Sequence, residues 1–161
     1  MANPIAAHGF IAEFCFGSNA IPLWYGVLKS ANAITEGDLV KIETGLLLKY
    51  ATITTDDPKV VGVSCETKTA LATTRDSLIY IPAIESIVFS GQYASTGQQF
   101  TQGLIGTGHG IGRMSTGFMR LSTTASSVAC IIGLKRTSAF GTAGEAMFIF
   151  GVSRLSGRGI Y

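Results

Sequence analysis

The most constraining feature of this sequence is a series of short landmarks that occurs twice in the same order. The first copy, Gly37–Ile81, contains a Thr-Gly step, an apolar-apolar-Gly-apolar run and an acidic residue that leads into a strand-like segment. The second copy repeats these landmarks at offsets of 72, 71 and 69 residues: Gly45 matches Gly117, Gly62 matches Gly133 and Asp76 matches Glu145. Three landmarks in one order at a nearly constant offset predict two related β-units.

Each landmark favours strands over helices. The Thr44-Gly45 step lies between apolar runs, and its glycine allows the positive φ that a tight strand connection needs. The run Val60-Val61-Gly62-Val63 is too short for a stable helix and rich in β-branched residues, which is typical of a buried strand. The glycine within it indicates a bulge or the close approach of another backbone. Because the chain contains no long, capped amphipathic helix, we expect an all-β fold.

The low content of charged residues limits how this chain can cover its surface. Only 14% of its 161 residues are charged, against about a quarter in a typical globular domain, and 47% are hydrophobic. Three classes fit this composition: a membrane protein, a monomer prone to aggregation, and a subunit that hides apolar surface in an assembly. No apolar run approaches the roughly 20 residues of a spanning helix, and permanent interfaces are more apolar than ordinary surface. The composition therefore favours an assembly subunit.

The charge and the cysteines point away from nucleic acid and from secretion. The net charge of +2 is small and the basic residues are scattered, so we expect no direct contact with nucleic acid. Cys15, Cys65 and Cys130 are odd in number, far apart and surrounded by apolar residues, which favours buried, reduced thiols. The first residues lack the basic region of a signal peptide. We therefore expect synthesis in the cytoplasm, with export only as part of a particle.

An aromatic-rich segment, 1–31, precedes a first β-unit (32–90) and a second unit with a glycine-rich loop (91–161), which together are expected to form one compact domain. Aromatic or small residues at 10, 12, 14 and 16 alternate with the residues between them, so a strand here would present one aromatic face. Two interpretations remain open: the segment packs on the domain's own core, or it is an extended arm that orders against a neighbouring subunit. In the second case the expected contact residues are Phe10, Phe14, Phe16, Trp24 and Tyr25.

The sequence offers no motif for catalysis. The stretch Gly91–Ser115 is expected to be a long loop, and its glycines miss the G-x-G-x-x-G spacing of a dinucleotide site. His109 in this stretch is expected to be a surface residue. Neither His8 nor His109 has neighbours at metal-ligand spacing, and no C-x-x-C pair or G-x-S-x-G elbow occurs. We expect no metal, no cofactor and no enzymatic activity.

The run Ala33-Ile34-Thr35-Glu36-Gly37-Asp38-Leu39-Val40 leads to Val60-Val61-Gly62-Val63, a Gly-Asp-x-Val … Val-Gly-Val pattern. Over roughly Asn32–Phe89 the chain thereby resembles the small head-decoration, or cement, proteins of tailed bacteriophages. The resemblance implies a compact, barrel-like domain of the β-tulip kind and a homotrimer on the outside of an expanded icosahedral capsid. It also implies binding across neighbouring copies of the major capsid protein, often through an N-terminal arm, and hence a location in the virion. The longer N-terminus and the glycine-rich stretch depart from the family.

Two other functions remain open. A carbohydrate- or small-ligand-binding β-module could use the glycine-rich stretch as its mouth, with Trp24 or Tyr93 as a platform on which a sugar stacks. A tail or minor capsid subunit of another kind of particle would share the low charge and the absence of a catalytic motif.

Overall fold

The computed structural model describes residues 9–50, 60–69, 76–93, 101–113, 119–125, 128–135 and 144–151. Over these residues the chain consists of strands, with one short 3₁₀ helix at Gln102–Leu104. The strands in chain order are β1 Ile11–Cys15, β2 Trp24–Leu28, β3 Leu39–Glu43, β4 Leu46–Lys49, β5 Val60–Ser64, β6 Asp76–Pro82, β7 Ile87–Gln92, β8 Gly108–Arg113, β9 Met119–Ala125, β10 Ala129–Leu134 and β11 Glu145–Phe150. The expected all-β fold is confirmed.

Five of the strands close into a barrel in the order β2-β4-β3-β5-β6. Most neighbours are antiparallel, but β2 also pairs in parallel with β4 through Leu28 and Leu47, and this pairing closes the barrel. The barrel has its own small core, because alternate residues of its strands point inward. That core consists of Leu28, Ile34, Val40, Leu47, Leu78 and Tyr80.

The other six strands form a sheet in the order β1-β7-β11-β10-β8-β9. The sheet packs on the barrel through a larger core, to which the sheet contributes Phe89, Phe148 and Phe150 and the barrel contributes Leu39 and Val63. The three phenylalanine rings lie within 5.9 Å of one another, centroid to centroid, in edge-to-face and stacked contacts. Barrel and sheet therefore share one continuous core, as expected for a single compact domain.

The two related units are visible in the strand order. The barrel contains the antiparallel series β4-β3-β5-β6, and the sheet contains the matching series β9-β8-β10-β11. In both series the third strand carries a bulge at the residue before its glycine: Val61 precedes Gly62 in β5, and Ile132 precedes Gly133 in β10. The bulge faces β3 in the first unit and β11 in the second.

The sequence landmarks of the first unit have the expected geometry. Thr44 and Gly45, with φ of 50° and 78°, form the two-residue connection of the β3–β4 hairpin, a turn whose twist matches that of the strands. Gly62 is also a site of close approach, because a Cβ atom there would overlap the carbonyl oxygen of Ile81. The corresponding Thr116-Gly117 step lies outside the described residues.

Part of the glycine-rich stretch corrects the prediction of a long loop. Gly108–Arg113 forms β8, which pairs with β9 on one side and β10 on the other. Its only large apolar side chain, Ile111, is fully buried, and His109 is 5% exposed, so the expectation of a surface histidine is wrong. Pairing on both sides outweighs the poor strand propensity of the glycines here.

The N-terminal segment is built into the domain wherever the structure describes it. β1 pairs with β7 at the edge of the sheet, and β2 is a barrel strand paired with β6 and β4. Residues 1–8 lie outside the described residues. The three cysteines are unpaired and partly rather than fully buried.

Candidate contact surface

A β-bulge at Glu13 divides the aromatic face expected for β1. Ala12 pairs with Phe89 of β7 and Phe14 pairs with Val88, so Glu13 is an extra residue in β1. Because side chains alternate in a strand, one extra residue shifts every later side chain to the opposite face. The residues expected to share one aromatic face therefore separate into a buried set before the bulge and an exposed set after it.

Phe10, before the bulge, belongs to the core. Its ring is 3% exposed and meets the ring of Phe148 edge-on at 4.9 Å between centroids. The ring lies over Gly91 of β7, where a Cβ atom would overlap it. Phe10 is therefore part of the chain's own core. It is not exposed for the predicted contact with another subunit.

Phe14 and Phe16, after the bulge, are exposed. Their side chains are 41% and 57% exposed, and the two rings contact each other edge-to-face at 5.3 Å. Ile11, at the start of β1, is 40% exposed. We call these three residues the β1 patch. The two rings of the patch contact each other and are both partly accessible to solvent.

A second exposed apolar group lies on the outside of the barrel. Tyr25 in β2 is 83% exposed and pairs directly with Ile79 of β6, which is 41% exposed. Leu23 and Val27 flank Tyr25 at alternate positions and are 61% and 45% exposed. We call these four residues the barrel patch. Trp24 differs from its neighbour, because it packs against the barrel core and its ring meets Tyr80 edge-on at 6.3 Å.

A partly buried charged cluster holds β1 against the sheet. The Lys135 ammonium lies 2.9 Å from the Glu13 carboxylate and 3.0 Å from that of Glu145. The buried Ser90 hydroxyl of β7 donates to Glu13 and also lies 3.4 Å from Lys135. Burial lowers the pKa of Lys135, but its hydrogen bonds to the two carboxylates outweigh this, so the pKa is raised overall. The bulged residue Glu13 is thus held by Ser90 of β7 and by Lys135, the residue that follows β10.

A cleft of about 520 Å³ lies between the start of β1 and the loops of the barrel. It is lined by Gly9–Ala12, Thr35–Gly37, Ser64, Cys65, Thr67 and Ile81. Burial, and then the negative charges of Glu36 and Glu66, raise the pKa of the Cys65 thiol. The thiolate is therefore disfavoured, which argues against a nucleophilic role for Cys65.

The buried polar residues are engaged with the chain itself. The His109 Nδ1 lies 3.0 Å from the carbonyl oxygen of Ser122, which can only accept, so Nδ1 carries the hydrogen. The other ring nitrogen, Nε2, lies 2.8 Å from the Thr107 hydroxyl. Asp38, 1% exposed, pairs with Lys49 at 2.6 Å and accepts the Thr35 N–H at 2.8 Å. These contacts give both His109 and Asp38 a structural role within the fold.

The described residues contain neither a cluster of potential metal ligands nor a membrane-spanning helix. Among those residues no three or more His, Cys, Asp or Glu side chains are grouped so that they could hold a metal ion. The described part of the chain also has no helix with the length and apolar character needed to cross a membrane.

Comparisons with known proteins identify no relative of this chain. No protein-family model matches the chain, and neither the curated proteins nor the solved structures include a match.

Proposed function

We propose that this chain is a structural virion protein that binds the outside of an expanded icosahedral phage capsid and stabilises it across neighbouring copies of the major capsid protein. The observation that carries the proposal is the exposure of Phe14, Phe16 and Tyr25 on a β-strand fold whose sequence has only 14% charged residues. Aromatic rings are enriched at the centres of protein interfaces, where they bury large areas at little entropic cost. The sequence resemblance described above supplies the kind of partner.

The proposed mechanism is physical. Capsid expansion brings adjacent capsid subunits together and creates a composite surface. The β1 and barrel patches then bury apolar area against that surface, at about 25 cal/mol per Å² before the costs of association. A homotrimer engages several capsid subunits at once, so modest affinity at each contact gives a large gain in particle stability.

Co-sedimentation with empty shells tests this proposal. Wild-type protein is mixed with expanded and unexpanded shells of the major capsid protein encoded in the same genome, and the bound fraction is measured. We expect saturable binding to expanded shells only. A double variant, Phe14→Ser with Phe16→Ser, and the single variant Tyr25→Ser should bind at least tenfold more weakly, a loss of about 1.4 kcal/mol or more.

Two controls separate the contact from the fold. Lys29→Ser changes an exposed polar residue directly after β2 and should bind like the wild type. Thermal unfolding should be nearly unchanged in all four proteins, because the substituted side chains are exposed. No wild-type binding to expanded shells would overturn the proposed function, whereas undiminished binding of the aromatic variants would overturn only the proposed contact surface.

The ligand-binding alternative has less support. A sugar platform needs an exposed ring, but Tyr93 is 5% exposed and Trp24 packs on the barrel core. In the cleft, the one aromatic residue among the described lining is Phe10, whose ring is buried. A thermal-shift screen against sugars and nucleotides would detect such binding as a rise in Tm.

A further inference from the structure

β7 stands beside the second series of strands as β2 stands beside the first. Each pairs antiparallel with the last strand of its series, β2 with β6 and β7 with β11. Each also makes one parallel contact with the first strand of that series. Leu28, at the end of β2, meets Leu47 of β4, and Tyr93, directly after β7, meets Leu121 of β9. The two parallel contacts therefore align β2 with β7 residue by residue.

The aligned strands differ in what lies beside them. Counted back from the parallel contacts, Leu23 and Tyr25 correspond to Val88 and Ser90. Val88 and Ser90 pair with β1 and are fully buried. Leu23 and Tyr25 are 61% and 83% exposed, and beyond the contact at Leu28 no described strand pairs with that side of β2. The barrel therefore lacks the strand that β1 provides in the second unit.

The backbone groups of Leu23 and Tyr25 face this open side. Ile79 of β6 lies opposite Tyr25, but its N–H donates to the Glu66 carboxylate and its carbonyl oxygen accepts from the Cys65 N–H. The N–H and C=O of Tyr25 therefore point away from β6, and those of Leu23, two residues earlier, point the same way. Within the described part of the chain, neither residue has a hydrogen-bond partner on that side.

The open side of β2 also lacks the features that usually protect a strand edge. Such edges carry charged side chains, prolines or bulges that keep other chains from pairing with them. Pro22, which has no N–H, marks the start of the open side, and no residue from Leu23 to Leu28 is charged. The pairing of β2 with β6 is regular over its five residue pairs. We call the outward N–H and C=O groups of Leu23 and Tyr25 the β2 edge.

We propose that a second copy of this chain pairs its own β2 with this edge, antiparallel and about a twofold axis. β1 runs antiparallel to β7, so the corresponding place beside β2 suits an antiparallel strand. A twofold axis perpendicular to β2 gives that orientation, and each copy then supplies the donors and acceptors that the other lacks. A partner strand of different sequence would need its own matching edge, whereas the second copy brings the same one.

The free groups fix the register of the pair. With Trp24 on the axis, Leu23 of each copy lies opposite Tyr25 of the other, and all the hydrogen bonds use groups of the β2 edge. A pair centred on Tyr25 would need the C=O of Val27, which the parallel contact of Leu28 directs to β4. The Leu23 and Tyr25 side chains then form an apolar cross-strand pair on each side of the axis.

The pairing is independent of the proposed function. It joins strand edges and leaves the outer face of the barrel patch accessible, so it does not require capsid binding. A twofold contact also doubles whatever oligomer each copy otherwise belongs to. The number of copies in the associated state is therefore even.

Sedimentation equilibrium of the full chain, from micromolar to millimolar concentration, measures this association. We expect the mass to double as the concentration rises. Tyr25→Lys should raise the Kd of the doubling at least about tenfold, because an apolar cross-strand contact is lost and charges meet across the axis. Ile79→Lys is the matched control. It changes the exposed cross-strand neighbour of Tyr25 on the same face, but its backbone is engaged within the barrel, so the Kd should change by no more than about twofold.

Amide hydrogen exchange, followed by NMR, locates the contact. The N–H groups of Leu23 and Tyr25 should exchange more slowly as the doubled species forms. The Trp24 N–H, which faces β6, should be unaffected by concentration. Urea unfolding of both lysine variants should match the wild type, because the substituted side chains are exposed.

Three results would overturn the proposal. One is a mass that stays at one copy, or at three, over the whole concentration range. Another is doubling without slower exchange at Leu23 and Tyr25. The third is equal weakening by Tyr25→Lys and Ile79→Lys, which would assign the association to the outer face of the barrel rather than to the β2 edge. Co-sedimentation with shells, described above, decides capsid binding separately.

Discussion

The backbones of Gly9 and Gly37 meet so closely that neither residue has room for a side chain. A Cβ atom on Gly9 would lie 2.5 Å from the carbonyl oxygen of Gly37, and a Cβ atom on Gly37 would lie 2.6 Å from the Cα of Gly9. The adjacent Phe10 N–H donates to the same Gly37 carbonyl. This crossing ties the start of the sheet to the barrel and places the Gly-Asp motif at the junction of the two layers.

Substitution of Gly37 by alanine should destabilise the fold strongly. The residue has a φ of +83°, and the added methyl group would also meet the backbone of Gly9, so we expect a loss of about 2–4 kcal/mol in the free energy of unfolding. Gly45→Ala is the matched control, since Gly45 has a φ of +78° with nothing within 4 Å, and should cost about 1 kcal/mol. Urea denaturation measures both. Equal losses of unfolding free energy in the two variants would show that the close contact of Gly9 with Gly37 does not contribute to the cost.

Gly91→Ala should act through Phe10. The new methyl group would overlap the Phe10 ring, so we expect a loss of about 1–3 kcal/mol from overpacking. In a Phe10→Leu background the same substitution should cost at least 1 kcal/mol less, because the smaller side chain leaves room. Gly112→Ala, in open space on β8, serves as the control. Strictly additive losses for Gly91 and Phe10 in urea denaturation would contradict this packing.

Lys135 should make stability sensitive to alkaline pH. Its folded-state pKa is raised, so the contribution of the protonated lysine is present below the ordinary lysine pKa of about 10.4 and is lost as pH rises through the folded value. At neutral pH, Lys135→Met should lose about 1–3 kcal/mol, because two partly buried carboxylates lose their cation. The difference from wild type should shrink near pH 11.

Urea denaturation at both pH values measures that difference. Lys29→Met changes an exposed lysine and should alter stability by less than about 0.5 kcal/mol at either pH. A Lys135→Met deficit that stayed constant from neutral to alkaline pH would refute the assigned linkage.

Asp38→Ala should cost more than removal of an exposed acid. The Asp38 side chain is 2% exposed and its removal leaves Lys49 and the Thr35 N–H without their partner, so we expect a loss of about 2–4 kcal/mol. Asp76→Ala should lower the free energy of unfolding by less than about 1 kcal/mol, because the Asp76 side chain is 40% exposed and forms a surface pair with Lys68. Thermal and urea unfolding of the two variants provide the comparison, and similar losses would argue against a structural role for the buried pair.

Local patterns in the sequence were sufficient to predict much of the fold. The Thr44-Gly45 turn and the glycine of β5 follow from backbone chemistry that acts within a few residues. Barrel closure depends instead on the parallel contact of Leu28 with Leu47. No periodicity encodes such a distant pairing, which is why the sequence does not predict how the barrel closes.

The contact surface was harder to predict because one bulge changes it. Period two predicted a single aromatic face, but the extra residue Glu13 leaves Phe10 in the core and Phe14 on the surface. The available signal was Glu13, a single acidic residue among aromatic ones. Its structural role depends on an ion pair with Lys135, which is distant in sequence. Leu23 and Val27 were missed although they alternate with Tyr25, and that alternation was the available clue.

The most direct test of the proposed function is protein mass spectrometry of purified virus particles from the source culture, with the copy number of this chain measured against the major capsid protein. A decorating subunit should be present at close to one copy per capsid subunit. A few copies per particle would instead indicate a tail, portal or vertex component. Absence from the particles, with the protein abundant in the cell lysate, would contradict a structural role in the virion.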